Sequence, residues 1–424
     1  MPAPSIPAAF RRVPEVGGRA RLNPRVTSPL PVRDSEGSGG LGWRVGAVDA
    51  EGAPRGDATT GSTLTAREHD TALTVWSQTC ESLENDVPRQ TLVVSYSFTA
   101  VTTGDPYPLE VEFSGRLLGE PSSRGATTFS MSGRVHRVVP GCGRVTLTLR
   151  IPDLAAGEWE VIATPATDAE YPTVLQGPVR AEGATSISML APLVGPGLRI
   201  GGWPAMVGAG ALVGVVVQAS LAHRVGLPVV PLLWTTLLAC VLGVFGAKLY
   251  YALTHPHERG GLVTVGMSLQ GFVVVAFAVI VSLTLLLALP LGVVLDVSAP
   301  ALLFGQAVGR IGCRFGGCCV GRPTASRWGV WSADRMVGVR RVPVRLMESI
   351  TALVLAAGAA VSVILGPPRP AGWLFVVALS AYVVARQLLL PLREVPRATR
   401  YGRAITLTVS AALLIAATVV LIRW

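Results

Sequence analysis

The chain has 424 residues, of which 50% are hydrophobic and 15% are charged. This composition excludes an intrinsically disordered chain, a small disulfide-stapled domain and a single soluble globular domain. The charges are divided unevenly, because residues 1–199 hold 18 Arg against 21 acidic residues, whereas residues 200–424 hold 17 Arg and one Lys against 5 acidic residues. The two parts therefore carry −3 and +13, which gives the net charge of +10 and indicates two regions with different surroundings.

The first 66 residues are rich in Pro, Gly, Ser, Arg and Asp, and they contain no apolar run that could form the core of a signal peptide. Such a segment buries too little apolar surface to offset the entropy of ordering the chain. We therefore predict a disordered arm over residues 1–66.

Short segments that alternate apolar and polar side chains occupy residues 67–192, and each is bounded by Gly, Pro, Asp or Asn. The segments are Ala72–Ser77, Thr91–Thr99, Leu109–Ser114, Thr127–Ser132, Val145–Ile151 and Trp159–Thr164. This spacing is typical of an antiparallel β-sandwich of the immunoglobulin or fibronectin kind. Cys80 and Cys142 lie in this domain, where they can form a disulfide if the domain is exported and remain thiols in a reducing compartment. Spacing alone does not decide between these two states.

Seven apolar runs in the second half of the chain are each long enough to cross a membrane, which takes about 20 helical residues. They cover residues 203–222, 228–253, 262–289, 292–311, 346–366, 371–391 and 403–422. We therefore predict an all-α polytopic membrane bundle over residues 195–424, with the antiparallel β-sandwich domain before it. Basic charge in such a protein marks anionic lipid head groups or the cytoplasmic face, so the positive net charge does not predict a nucleic-acid partner.

Residues 305–323, at the end of the fourth run, combine arginine, glycine and cysteine. An arginine at membrane depth needs a partner, a water-filled cavity or an anionic ligand, and this applies to Arg310 and Arg314. The planar guanidinium suits phosphate oxygens, and Gly309 and Gly312 let a head group approach closely. We therefore predict a phospholipid-phosphate site. The alternative is helix packing through small residues, with the arginines extending to the membrane interface.

Cys313, Cys318 and Cys319 form a Cys-x4-Cys-Cys pattern within this stretch. The spacing matches no usual zinc pattern and no histidine lies nearby in the sequence, so we predict packing residues and no metal site. Arginine-rich surroundings lower the pKa of a thiol, so a reactive thiolate or a thiol redox function is a second hypothesis.

Three further charged residues lie in or beside the later apolar runs. Arg386 and Arg393 are seven residues apart, which predicts two helical turns on one face of the sixth span. Arg386 lies deeper and is predicted to face the bundle interior, whereas Arg393 is either a ligand or an interfacial anchor. Glu348, near the start of the fifth run, is either a catalytic carboxylate or the ion-pair partner of an arginine.

Residues 195–424 resemble the prolipoprotein diacylglyceryl transferase family along their whole length. The matching blocks are Leu198–Trp203, Gly246–Tyr251, Gly266–Gly271, Gly309–Gly312, Gly321–Thr324, Trp328–Val330 and Val342–Glu348, followed by Arg386 and Arg393. The order and the spacing of these blocks agree with the family.

The resemblance implies a multi-pass enzyme of the bacterial plasma membrane that moves the diacylglyceryl group of phosphatidylglycerol to a cysteine thiol of a lipoprotein precursor, with release of glycerol phosphate. It implies the lipid, the precursor peptide and the bilayer as partners, and no cofactor. Arg310 and Arg386 would neutralise the phosphate leaving group, and with Glu348 and Gln270 they are the predicted catalytic positions. The predicted substrate-binding positions are Arg310, Arg386, Arg393, Gly309, Gly312, Gly321, Cys313 and Cys318.

The chain departs from the family at positions that would handle the proton of the acceptor thiol. Gln270 stands in place of the family's histidine, and an amide cannot take up a proton. Cys313 and Cys318 replace an asparagine and a glutamate, and Leu390 replaces a second glutamate. The replacement bases that the sequence offers are Glu348, Cys318, Cys319, Asp334, His255 and His257.

These departures leave two alternatives to the family's reaction. One is a non-catalytic membrane protein that binds anionic lipid and displays the β-sandwich to a partner. The other is a related transferase with a different acceptor. The membrane side is also open, because the positive-inside rule makes the arginine-rich face of residues 312–345 and 392–403 cytoplasmic, whereas the resemblance implies that this face points outward.

Overall fold

The computed structural model describes residues 63–68, 71–76, 90–121, 125–166, 178–188, 190–255, 266–366, 369–394 and 401–423. The chain divides into two compact units, Met1–Gly195 and Pro196–Trp424. The arm predicted over residues 1–66 lies outside the described residues as far as residue 62, and the first strand begins at Thr63.

The described part of the first unit contains nine strands in two antiparallel sheets. The strands are β1 Thr63–Glu68, β2 Thr71–Trp76, β3 Gln90–Thr99, β4 Tyr107–Leu118, β5 Thr128–Val138, β6 Arg144–Leu154, β7 Glu158–Pro165, β8 Val179–Ala184 and β9 Ser186–Ile187. One sheet pairs β1, β2, β3 and β6 in that order, with β9 also beside β3, and the other has the order β5-β4-β7-β8. The predicted antiparallel sheets are confirmed, whereas the immunoglobulin or fibronectin kind stays a prediction.

The alternating pattern of β4 explains how these sheets bury their inner faces. Leu109 and Val111 are buried while Glu110 between them is exposed, because successive side chains of a strand point to opposite faces. A Cβ atom at Gly133 of β5 would lie 3.0 Å from a methyl group of Leu147 on β6. The two sheets therefore pack closely here, with apolar side chains of β6 against Gly133 of β5.

Cys142 is buried between β5 and β6, whereas Cys80 lies outside the described residues. The disulfide and the two-thiol alternatives therefore both remain open.

The second unit has seven described helices of membrane-spanning length and composition, which confirms the predicted polytopic bundle. They are α1 Gly202–Arg224, α2 Val229–Thr254, α3 Leu269–Leu286, α4 Leu291–Phe315, α5 Val344–Leu365, α6 Trp373–Leu389 and α7 Gly402–Arg423. A 3₁₀ helix at Leu390–Leu392 follows α6, and strands β10 Val330–Ala333 and β11 Val337–Arg341 form a hairpin between α4 and α5. Helix α4 continues past the predicted residue 311, which brings Cys313 onto its last turn.

Helix α4 lies at the centre of the bundle, where it packs against α1, α5 and α6. Its contact with α1 runs backbone to backbone, because a Cβ atom at Gly210 would lie 2.5 Å from the carbonyl oxygen of Gly305. Nearer the end of α4, a Cβ atom at Gly312 would lie 2.9 Å from Cβ of Met206. Small residues let membrane helices approach closely, so this contact fixes the direction in which the end of α4 points.

The carboxylate of Asp296, buried on α4, caps the start of α6. It accepts hydrogen bonds from the backbone N–H groups of Gly372 at 2.7 Å and Phe375 at 3.0 Å. The first N–H groups of a helix have no partner within the helix, and a negative charge at that end is favourable. This one side chain therefore couples the central helix to the helix that carries Arg386.

We expect Asp296→Ala to lower the unfolding temperature of the purified protein in detergent, because loss of a helix N-cap costs about 0.5–2 kcal/mol. Asp296→Asn keeps an acceptor oxygen, so its unfolding temperature should lie between those of Asp296→Ala and the wild type. Thr351→Ala is the matched control, since half-buried Thr351 bonds only to Met347 of its own helix among the described residues. Unfolding of Asp296→Ala at the temperature of the control would contradict the capping role.

Candidate functional site

The guanidinium of Arg310, at the buried end of α4, is held by three side chains. Its Nη1 lies 3.3 Å from Oε2 of Glu348 and 3.9 Å from Sγ of Cys319. With the amide oxygen of Gln306 turned toward Arg310, that oxygen accepts hydrogen bonds from Nε at 2.8 Å and from the Tyr382 hydroxyl at 2.9 Å. Arg310 is only 6% exposed, so these contacts fix the position of a buried charge.

Glu348 on α5 is shared by two arginines. Its Oε2 faces Arg310 and its Oε1 accepts a hydrogen bond from Nη2 of Arg393, and the Glu348 side chain is 1% exposed. Of the two roles predicted for Glu348, the structure shows the ion-pair partner of an arginine. Arg393 is itself buried, so it is not an exposed interfacial anchor.

The prediction that Arg386 and Arg393 lie two turns apart on one helix is wrong. Helix α6 ends at Leu389, because Pro391 has no N–H to donate and its ring disfavours a continuing helix. Arg393 instead has an extended backbone, and this segment pairs with the loop at Gly321. The chain therefore turns Arg393 back toward Glu348, where a straight helix would carry it away.

Arg386 lies on α6 one turn after Tyr382 and is half-buried. It interacts electrostatically with Arg310, Tyr382, Arg393 and Glu348. Within the part of the chain that the structure describes, its guanidinium makes no hydrogen bond. Three guanidinium groups thus surround a single carboxylate, which leaves the cluster with a surplus of two positive charges.

The thiols of Cys313, Cys318 and Cys319 lie together, with all three Sγ atoms within 4.8 Å of one another. Cys313 is buried, and the other two are half-buried. Hydrogen bonds from the Cys313 and Cys318 thiols lower the pKa of Cys319, and Arg393 and Arg310 lower it further. The expectation of three ordinary packing residues did not anticipate this cluster, and the absence of a metal stays a prediction.

Arg341 is a buried brace that the sequence reasoning missed. Its Nη1 donates to the carbonyl of Gly321 at 3.1 Å and pairs with Glu394, while its Nη2 pairs with Asp334 at 2.8 Å. Burial lowers the pKa of Arg341. The brace joins the β10–β11 hairpin to the segment that carries Arg393, and it engages Asp334, one of the predicted replacement bases.

The remaining predicted residues have different surroundings. Gln270 is exposed at the start of α3, where its side chain accepts a hydrogen bond from Ser268. His255 is exposed and stacks on Tyr251, while His257 lies outside the described residues. None of the described contacts of Gln270 or His255 reaches the arginine cluster.

The three predicted glycines divide between packing and open space. Gly312 packs on α1, and a Cβ atom at Gly321 would collide with the carbonyl oxygen of Val342. A Cβ atom at Gly309 would meet no atom within 4 Å. Of these three glycines, only Gly309 therefore has open space where a Cβ atom would lie.

Two residues of the site that sequence reasoning missed carry a periodic signal. Gln306 and Tyr382 each lie four residues before an arginine of the cluster, Arg310 and Arg386, and so share its helix face. The sequence places Arg345 only within the arginine-rich stretch of residues 312–345. Its Nε donates to the carbonyl of Cys318 at 2.6 Å, which no spacing rule would reveal.

The fold and the site define a multi-pass membrane protein with a buried, positively charged cluster suited to a phosphate ester. The sequence profile of the family described as prolipoprotein diacylglyceryl transferase matches residues 193–424, and the chain belongs to this family. Membership and the seven helices indicate a multi-pass protein of the bacterial inner membrane.

Curated relatives from Dehalococcoides mccartyi are named phosphatidylglycerol–prolipoprotein diacylglyceryl transferase. The protein of strain 195 is 38% identical over 100 residues, which cover 23% of this chain and 38% of the relative. Proteins of two further strains are 35% identical over 100 residues, with the same coverage. The chain therefore spans well under half the length of the curated relatives that it matches.

We expect Glu348→Ala to lower the unfolding temperature strongly, because it leaves Arg310 and Arg393 buried beside one another without their shared carboxylate. Breaking a buried ion pair in this way costs about 3–5 kcal/mol. Glu348→Gln keeps a hydrogen-bond acceptor and should lose less. Thermal unfolding in detergent measures both, with Glu182→Ala, at an exposed carboxylate on β8, as the control. If Glu348→Ala unfolded at the wild-type temperature, this carboxylate would not hold the cluster together.

Proposed function

We propose that the membrane unit transfers the diacylglyceryl group of phosphatidylglycerol to a cysteine thiol of a lipoprotein precursor. The observation that carries this proposal is the cluster of Arg310, Arg386 and Arg393 around Glu348, in a chain that belongs to the transferase family. The names of the relatives supply both substrates, and the cluster supplies a physical reason for the phosphate.

The surplus charge of the cluster suits the change in charge during the reaction. A phosphodiester carries one negative charge, whereas the departing glycerol phosphate approaches two, because the second pKa of a phosphate monoester is about 6. A fixed surplus of two positive charges therefore stabilises the leaving group more than the lipid. Interactions that strengthen toward the transition state are those that accelerate a reaction.

The three arginines differ in how many of their donors are available to a phosphate. Arg310 and Arg393 are occupied by Glu348, whereas the donors of Arg386 make no hydrogen bond to the described residues. Helix α4 also has open space for a head group at Gly309, one residue before Arg310. We therefore assign the first contact with the phosphate to Arg386 and the stabilisation of the leaving oxygen to Arg310.

Glu348 is better suited to positioning than to taking the proton of the acceptor thiol. Each of its two carboxylate oxygens already faces a guanidinium group, Oε2 that of Arg310 and Oε1 that of Arg393. Gln270 cannot accept a proton at all. The activation of the thiol must therefore rest on other groups near the cluster.

The test is a transfer assay with the purified protein in detergent micelles that contain phosphatidylglycerol, with a lipobox-type cysteine peptide as acceptor. We expect glycerol phosphate release that requires the peptide thiol. Arg386→Ala should lower kcat/KM by about 100-fold or more, since loss of one donor to a developing oxyanion has that effect. Arg386→Lys should retain part of the rate, because it keeps the charge and loses the planar fork.

Arg224→Ala is the matched control, because Arg224 is an exposed arginine at the end of α1, and its rate should equal wild type. Wild-type rates for Arg386→Ala would contradict the assignment. Complete absence of glycerol phosphate release, with phosphatidylglycerol still bound, would favour the non-catalytic lipid-binding alternative.

A further inference from the structure

The three clustered thiols are brought together by an unusual backbone. Cys313 lies on the last turn of α4, and the N–H of Cys318 donates to the Cys313 carbonyl at 3.2 Å. Gly317 and Cys319 both have left-handed backbones, with φ of +63° and +56°. A non-glycine residue in this conformation is uncommon and carries strain that the surroundings must hold in place. The turn therefore folds Cys318 and Cys319 back onto Cys313.

The spacing of the sulfur atoms is close to that of a thiolate metal site. Zinc–sulfur bonds of about 2.3 Å in a tetrahedron place the sulfurs about 3.8 Å apart. The three Sγ atoms lie within 4.8 Å of one another, so inward movements of up to about 1 Å would close the site. Three protein ligands leave the fourth position of a tetrahedral ion open, as in catalytic zinc sites.

The charges around the thiols favour an anionic complex. Three thiolates and one divalent cation carry a net charge of −1. Nη1 of Arg345 is buried without an acceptor among the described residues, and Arg345 interacts electrostatically with all three cysteines. Arg310 also lies 3.9 Å from Sγ of Cys319. A buried guanidinium nitrogen without an acceptor, on an arginine that interacts with three thiols, points to negative charge on those sulfurs.

We propose that Cys313, Cys318 and Cys319 bind a divalent cation of the zinc class, and that its open position takes the acceptor thiol of the transfer reaction. The second part rests on the proposed function. A thiol that coordinates such an ion loses its proton, so the ion would do the work of the family's histidine, which Gln270 replaces in this chain. This explains why cysteines lie beside an arginine cluster in a chain with Gln270.

The acceptor thiol binds the ion as a thiolate and releases its proton to solvent. The thiolate sulfur then attacks the glyceryl carbon of phosphatidylglycerol, so that a carbon–sulfur bond forms and the carbon–oxygen bond to phosphate breaks. Glycerol phosphate leaves with the bonding electron pair, beside Arg310 and Arg386.

The test uses the full chain, purified with reductant and without oxygen, and Co²⁺ as a spectroscopic probe. We expect one Co²⁺ per chain, with the sulfur-to-metal charge-transfer and visible absorption of a tetrahedral thiolate site. A lipobox-type peptide should shift this spectrum, and the same peptide with serine in place of cysteine should not. Zn²⁺ should displace Co²⁺. A chelator should remove the ion from the wild-type protein, which tests the site without a substitution.

Cys318→Ser and Cys319→Ser should each lose the signal, whereas Cys240→Ser, at an exposed cysteine on α2, should keep it. Chelation of the wild type tests the site even if a serine variant fails to fold. The proposal is overturned if the protein binds no metal with all three thiols reduced, or if both serine variants bind Co²⁺ like wild type. It is also overturned if two of the three cysteines are always joined in a disulfide. Metal binding with a peptide-thiol shift but no glycerol phosphate release would keep the metal site and remove the proposed function.

Discussion

The site depends on one buried carboxylate that two guanidinium groups share. Glu348 on α5 faces Arg310 from α4 and Arg393 from the segment after α6, so a single side chain ties three parts of the bundle together. Two buried arginines beside one another would repel strongly without it. The same arrangement leaves a third arginine, Arg386, with its positive charge uncompensated. The ion pairs that stabilise the site therefore also make it suited to an anion.

A second layer of contacts holds these charges in place. Close packing of α1 on α4 through Gly210 and Gly305 fixes the helix that carries Arg310, and Asp296 connects this helix to α6. Arg341 braces the loop and the segment with Arg393 from the other side. The cluster is thus positioned by helices and by a braced hairpin, so its charges are held in place without a ligand.

Local rules predicted the parts of the structure that depend on length and composition. Seven spans follow from apolar runs of sufficient length, and the sheets follow from alternating segments. The same rules failed where the chain leaves regular structure. Helical periodicity placed Arg393 on α6, whereas Pro391 ends the helix and turns the segment back. The clustering of the three thiols depends on left-handed backbones at Gly317 and Cys319, which sequence spacing does not reveal. Long-range contacts of Arg341 and Arg345 were equally hidden, because their partners are distant in sequence.

The most direct measurement is a cryo-electron microscopy structure of the protein in nanodiscs that contain phosphatidylglycerol. We predict the lipid phosphate within hydrogen-bond distance of Arg386 and Arg310, with Glu348 still between Arg310 and Arg393. Lipid head groups ordered elsewhere on the protein, with only solvent beside these arginines, would contradict a phosphate site at the cluster.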